Sequence, residues 1–420
     1  MSNRNELLSQ ILNATQNIDQ GGLSNRVLVT QPSDLQGSLN STVEYFLDGH
    51  IDMTGAGFSI EVPQGGLNIT GYNFDLSSLS STDAAYDLFT SPVGGSGNII
   101  FKDFAISVSG AGSRVFGDVT SDTGSEAIEI TGLNYNNCAS LGNLSGYRQM
   151  LETGTGRFGG TPELTFSGSW SGARISTSLA LGMSDFSSLF KAGAGLTFSG
   201  RFISGMNCDL PSVGAFLDFA PANISNDESL QLNGCRVTRQ GAINADDATI
   251  IPNITQADEQ SIWRNNVGIK NTKKYIKANV TAEALTAMPL QDNYYPLLGT
   301  FTVEDSEHFE MISNGEFRLK TGNGKYEFIG NIEIEGTAND LIDISVTKST
   351  DDGATYPTEI QHLRRPINNL VGSLDLAFFN IAFIDTLSKG DRVRIEAENK
   401  TRINGDVTML LDSYFMIKEV

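Results

Sequence analysis

The feature that most constrains this chain is a weak self-similarity between about residues 27 and 255: a short alternating strand followed by a glycine, recurring every thirty or so residues. LTFSG stands at 164–168 and again at 196–200. LNITG (67–71), IEITG (128–132) and LQLNG (230–234) follow the same form, and IIFKD (99–103) lacks only the glycine. Aligning Ile69, Ile100, Ile130, Phe166, Phe198 and Leu232 gives intervals of 31, 30, 36, 32 and 34 residues. One such strand cannot bury its apolar face alone, whereas stacked copies share a continuous core, which is the logic of a solenoid. Propeller blades need four strands per unit, and helical repeats need a 3.6-residue period that is absent here. The expectation is a right-handed parallel β-helix of six or seven coils over 27–255.

Composition agrees with an all-β protein. The apolar fraction is 39%, with 44 Gly and abundant Ser, Thr and Asn, a balance that favours short strands and tight turns over long helices. Residues 3–19 are the one helical pattern: Asn3 and Glu6 form a capping-box-like start, Leu8, Ile11, Thr15 and Ile18 share a face, and Gly21 and Gly22 end it. A helix this short needs packing to be stable. It reads either as an attachment element (residues 1–26), with Leu8, Ile11 and Ile18 as oligomer or docking contacts to other proteins, or as a cap on the open end of the β-helix.

Residues 256–280 break the rhythm with charge, Trp263 and the cations Lys273, Lys274 and Lys277, and read as a linker. From 281 to 420 the alternation is that of half-buried antiparallel strands: Phe317 and Leu319, Tyr326 and Phe328, Ile332 and Ile334, then Ile342, Ile344 and Val346. Turn signals at NGE, GNGK, TDDGAT and KGD separate them, as in a two-sheet sandwich or jelly roll.

Two resemblances sharpen this. TVEYFLDGHIDMTGAGFSIEVPQGGLNITGYN (42–73) looks like the first coils of the pectate-lyase-like β-helices found in bacteriophage tailspikes and related structural proteins. GNGKYEFIGNIEIEG (322–336) is similar to the Gly-x-Tyr-x-Phe strand of C1q-like and tumour-necrosis-factor-like jelly rolls. LSKGDRVRIEAEN (387–399) resembles their later Gly-Asp turn and strand, and TMLLDSYFMIKEV their closing strand. The second resemblance implies a homotrimer associating through a sheet edge and its aromatic residues, with Tyr326 and Phe328 as candidate contacts.

Several functions are disfavoured. With 28 Lys and Arg against 49 Asp and Glu, the net charge of −21 leaves no basic stripe for phosphates, so no nucleic-acid partner is expected. No secretory signal and no membrane-length apolar run are visible, which suggests synthesis in a host cytoplasm without membrane insertion. Cys138, Cys208 and Cys235 are odd in number and far apart, and read as buried apolar residues rather than a disulfide or zinc framework. No cofactor is indicated.

Glycan cleavage needs a carboxylate pair. The nearest pairs, Asp48 with Asp52, Asp83 with Asp87, Asp118 with Asp122 and Asp246 with Asp247, read better as turn residues. A uronate lyase would want clustered cations, and Lys102, Arg114, Arg148, Arg157, Arg174, Lys191 and Arg201 are scattered. His50, His308 and His362 fall in separate segments, and GAGSR (110–114) reads as a turn rather than a phosphate loop. Asp351 and Asp352 in STDDGATYP (349–357) are candidates for receptor binding or calcium, but an Asp-Gly hairpin tip accounts for them better; Tyr356, like Tyr294 and Tyr295, is of the type that stacks on sugars, although aromatic residues at a jelly-roll edge more often form a trimer core.

The combined expectation is a structural virion appendage, a phage fibre or spike subunit with a β-helical shaft and a distal jelly-roll head. It would sit on the particle surface and attach to a host-surface glycan or protein. The alternatives are a tailspike depolymerase or a capsid decoration protein without a receptor, and more remotely a bacterial adhesin.

Overall fold

In the computed structural model, described for residues 25–243, 248–255, 257–272, 274–304, 308–313, 315–369 and 375–420, the chain divides into two units. The first comprises residues up to 254 together with 264–270, the second 255–263 together with 271–420. The helix expected over 3–19, with Leu8, Ile11 and Ile18, lies outside the described residues, as do Asp246, Asp247 and Lys273.

The first unit is a parallel β-solenoid with three faces. Val43–Leu47, Leu67–Gly71, Ile99–Lys102, Ala127–Thr131 and Gln149–Thr153 stack on one face. His50–Asp52, Ser78–Ser81, Ala105–Val108, Asn134–Cys138 and Gly156–Gly160 stack on the second, and the strands from Ile60–Glu61 to Ala215–Asp218 on the third. Stacked residues on the first face run Val27, Tyr45, Ile69, Phe101, Ile130, Glu152, Ile175, Ser204, Leu232, with steps of 18, 24, 32, 29, 22, 23, 29 and 28 residues. The solenoid therefore makes about eight steps, more than the six or seven expected, and its period is shorter and less regular.

The exact repeat LTFSG does not mark equivalent positions. Phe166 belongs to the third-face strand Leu164–Ser167 and stacks on Ala192, whereas Phe198 pairs with Trp170 in a separate two-stranded corner. Likewise Phe101, not Ile100, stacks on Ile69. Alternation followed by a tight corner recurs on every face, so an alignment keyed to that form cannot distinguish one face from another.

What the sequence rhythm does capture is the corner between the first two faces. There the backbone turns through the left-handed region at Asp103 (φ 57°), Gly132 (65°), Gly154 (63°), Thr177 (54°) and Gly234 (72°). IIFKD lacks the glycine because Asp, whose short side chain tolerates this conformation, takes its place. Inside, aromatic rings fill the coils: Phe89, Phe101 and Phe116 stack, and Trp170 meets Phe166 and Phe198. Two coils interrupt the apolar ladder, at Glu152 and at Ser204, both fully buried. Glu152, between Ile130 and Ile175, is fully buried, and both its carboxylate oxygens accept from Arg157 Nη2, at 3.0 and 2.8 Å.

The second unit is a two-sheet antiparallel sandwich. One sheet runs Gly299–Glu304, Tyr275–Thr286, then Val407–Met409 with Tyr414–Glu419, then Gly324–Glu335 and Asp375–Leu387; the other runs Phe309–Ser313, Glu316–Leu319, Arg392–Asn399, Leu341–Ser349 and Thr358–Pro366. Successive strands cross between the sheets in jelly-roll fashion. The stretch read as a linker over 256–280 contains the strand Ser261–Arg264 and the start of Tyr275–Thr286, so the sandwich begins before residue 281. Lys274 and Lys277 pair with Glu419 (3.6 Å) and Glu304 (3.7 Å) and form no basic patch.

Tyr326 and Phe328, read as oligomer contacts, point inward with Ile332 and Ile334 and are 0% exposed. Tyr326 packs edge-on to Phe309, and Phe328 stacks on Phe383 at 4.4 Å between ring centres. They are core residues of the single chain and are not presented to a second copy.

Candidate functional site

The loop 349–357 joins two antiparallel neighbours, Leu341–Ser349 and Thr358–Pro366, and is a hairpin tip. Asp351 organises it, accepting from Ser349 Oγ at 2.6 Å, Thr355 Oγ1 at 2.7 Å and Thr355 N at 2.9 Å; these donors hold its carboxyl down at about 2. Asp352 (φ 56°) turns out of the loop to accept from Arg392 Nε and Nη2 at 3.0 and 2.9 Å. Both carboxylates are thus engaged by the chain itself. Among the described residues no cluster of three or more His, Cys, Asp or Glu is arranged to hold a metal.

Arg392 connects this tip to the outer face of its sheet through Glu316, at 2.8 Å. Beside it, the ring of Tyr356 lies 3.5 Å from the Arg394 guanidinium, and Arg394 reaches Glu396 at 2.5 Å. Burial, with the Glu316 charge nearby, pushes the Tyr356 phenol up. Further along, Asp343 is fully buried, bonded by Arg364 through both oxygens at 2.6 Å and by His362 Nε2 at 2.8 Å. Burial opposes its ionisation, but these donors outweigh it and hold the carboxyl below the usual range. Tyr294 lies beside Glu398, and burial with the nearby Glu359, Glu398 and Asp343 charges pushes its phenol up. The outer face of this sheet is therefore a near-continuous charge lattice with a tyrosine at each end.

At the Tyr356 end the lattice opens into a depression of about 340 Å³ lined by Pro296, Leu298, Ser313, Glu316 and Arg394. Of the sequence candidates, Tyr356 borders it through Arg394, Asp352 supports it through Arg392, and Asp351 shapes the neighbouring loop. Sequence reasoning missed Glu316 and Arg394. They are 78 residues apart and meet because Glu316 pairs in register with Arg394 across neighbouring strands.

The outer face of the opposite sheet carries an exposed apolar patch among polar residues, with Lys418 and Glu327 paired at 2.9 Å beside it. On Asp375–Leu387, Phe378 is 47% and Ile384 59% exposed, with Ala382 exposed between them. The facing register places Ile329 beside Ala382 and Met416 beside Ile329, and Tyr414 lies at the end of the same face beside Asn331.

In the solenoid the expected carboxylate pairs disperse into structural roles. Asp52 accepts from Thr54 N, Asp83 from Gly55 N, and Asp87 and Asp118 flank Arg114 at 2.8 and 2.7 Å. A different pair, Asp185 and Asp209, lines a groove of about 380 Å³ with Met183, Pro211 and Gln240. They lie about one coil apart in sequence, a spacing that only the true period reveals. Asp185 accepts from Ser212 Oγ at 2.8 Å and Val213 N at 3.0 Å, which holds its carboxyl below the usual range; Asp209 Oδ1 accepts from Thr238 Oγ1 at 2.6 Å and Gly241 N at 2.8 Å. A general acid in glycoside hydrolysis needs a raised carboxyl, so Asp185 is suited to bracing coils rather than to proton donation.

The histidines stay apart. His50 meets Ser78 Oγ at 2.8 Å, His308 is buried against Thr321, and His362 belongs to the charge lattice. Cys138, Cys208 and Cys235 are buried free thiols, and burial pushes Cys138 up to about 12. No helix of the described residues is long and apolar enough to cross a membrane.

No family model and no curated protein matches the sequence. Among solved structures, murine APRIL matches at 9% identity and TM-score 0.27, covering 35% of this chain and 98% of that one. The TNF protein Eiger from S. frugiperda matches at 12% identity and TM-score 0.26, covering 35% of this chain and 92% of its own. Likeness at these scores carries no argument, and the jelly-roll assignment rests on the strand order.

Proposed function

We propose that the chain is a structural subunit of a bacteriophage fibre or spike, a homotrimer exposed on the virion that attaches to the host surface through its jelly-roll unit. The observation that carries the reading is the pairing of a β-solenoid with a sandwich that bears an exposed apolar patch on one sheet and a charge lattice with tyrosines on the other. The patch of Phe378, Ala382, Ile384, Ile329 and Met416, set among Asn380, Asn331 and the Lys418–Glu327 pair at 2.9 Å, suits burial between copies. On the opposite sheet the charge lattice with its tyrosines opens at the depression beside Arg394, which could take a ligand. Three linked copies of a weak site add through multivalency, as attachment demands. The resemblance of residues 42–73 to tailspike coils supports the virion setting.

The test is solution mass of the full chain, followed by adsorption of the purified protein to candidate host cells. A trimeric mass that falls to the monomer in Phe378→Glu with Ile384→Glu, and saturable cell binding lost with it, is the expected result. A monomeric wild-type chain would overturn the trimer, and absence of binding to any host cell would overturn the attachment role.

A further inference from the structure

We propose that the depression of Pro296, Leu298, Ser313, Glu316 and Arg394 is a binding site for an uncharged saccharide unit; this rests on the attachment reading and gives it a ligand class. Its volume of about 340 Å³ falls at the small end of ligand cavities, about 300–1,000 Å³, which suits a sugar residue or short branch rather than an extended chain.

The walls divide by chemistry. Pro296 and Leu298 are exposed side by side on one wall, and Leu298, 42% exposed, is an apolar platform for the C–H face of a pyranose. The lining also carries the Ser313 hydroxyl, the Glu316 carboxylate and the Arg394 guanidinium, donors and acceptors of the kind that sugar hydroxyls engage.

Charge selects against ionic ligands. Arg394 is already neutralised by Glu396 at 2.5 Å, and Glu316 by Arg392 at 2.8 Å, so the site has no excess charge of either sign. The chain's net charge of −21 further repels an anion.

The polar groups are also held in place before any ligand arrives. Arg394 is clamped between the Tyr356 ring, 3.5 Å away, and Glu396. Glu316 is fixed by Arg392 and by Ser313 Oγ, at 3.1 Å. Fixed groups lose little entropy on binding, a requirement for a site of this size.

The experiment uses the full chain on an immobilised panel of neutral hexose and N-acetylhexosamine oligosaccharides, with sulfated and sialylated oligosaccharides as anionic comparisons. Ser313→Trp fills the depression from an exposed position, and Leu298→Asp removes the platform; solution mass and thermal midpoint confirm that each variant keeps its fold. The expected result is binding to neutral sugars, weakened at least tenfold by both variants, with mass and midpoint unchanged. Saccharide binding that both variants leave intact would place the site elsewhere and overturn the assignment, as would preference for the anionic set. Binding to whole host cells without binding to any saccharide would overturn the ligand class while the attachment reading stands. Binding to neither would overturn both.

Discussion

Replacing the buried pair Glu152 and Arg157 together should stabilise the solenoid, although replacing Glu152 alone should cripple it. Both side chains are fully inaccessible, and Glu152 occupies a ladder position held by isoleucine in the coils on either side. Burial pushes the Glu152 carboxyl up even with Arg157 beside it, so desolvation dominates there. The Arg157 guanidinium binds Glu152 through Nη2 alone, while Nε and Nη1 have no hydrogen-bond partner in the chain. Each unmet buried donor costs about 1–3 kcal/mol, against about 0.5–2 kcal/mol from Arg157 resting 4.9 Å over Phe190. Glu152→Ile leaves a lone buried cation, a loss of about 3–5 kcal/mol; Glu152→Ile with Arg157→Met removes both charges, keeps an unbranched side chain against Phe190, and gains about 1–4 kcal/mol. Equilibrium urea unfolding of wild type, both single variants and the double variant closes the cycle. A double variant no more stable than Glu152→Ile would refute the reasoning, because it would mean that apolar packing cannot replace the pair in that coil.

Other tests reach the remaining features. The three thiols should stay inert to a thiol reagent at pH 8 in the folded chain and react together on unfolding, as read by absorbance, since burial pushes Cys138 up to about 12 and raises the other two. Asp351 is held at about 2 against an ordinary 3.8, so it contributes stability above pH 4 that is lost as pH falls from about 4 toward 2; proteolysis within 349–357 should therefore rise across that window with pepsin, and be raised already at pH 4 in Asp351→Asn. At the solenoid corner, Asp103→Gly should leave the unfolding midpoint near wild type, while Asp103→Val should cost about 1–2 kcal/mol because the left-handed backbone there excludes a β-branched side chain.

The fold class was legible because both signals are local. A strand followed by a left-handed corner shows itself in IEITG, LQLNG and even IIFKD, and period-2 alternation marks the sandwich strands. Register was not legible, since three faces share one local form, and Phe166 and Phe198 carry identical neighbours into different positions. Alternation in KYEFIGNIEIE already put Tyr326 and Phe328 on the same face as Ile332 and Ile334, which is why they are core; the outward set required the opposite signal. That signal is in AFFNIAFI (377–384), apolar on both strand faces, the mark of a strand that expects cover on each side. The depression was beyond reach, because Glu316 and Arg394 become neighbours only through strand pairing.

The uneven steps of the solenoid separate two properties that a uniform repeat would tie together. A coil of 22 residues and one of 32 each add a single rung, and rungs lie roughly 4.8 Å apart whatever the coil contains. The seven steps from Tyr45 to Leu232 therefore advance about 34 Å, and lengthening any corner loop would leave that distance unchanged. Reach is counted in whole coils, while girth and surface chemistry vary residue by residue, so the outside of such a rod can diversify quickly without changing where its ends lie.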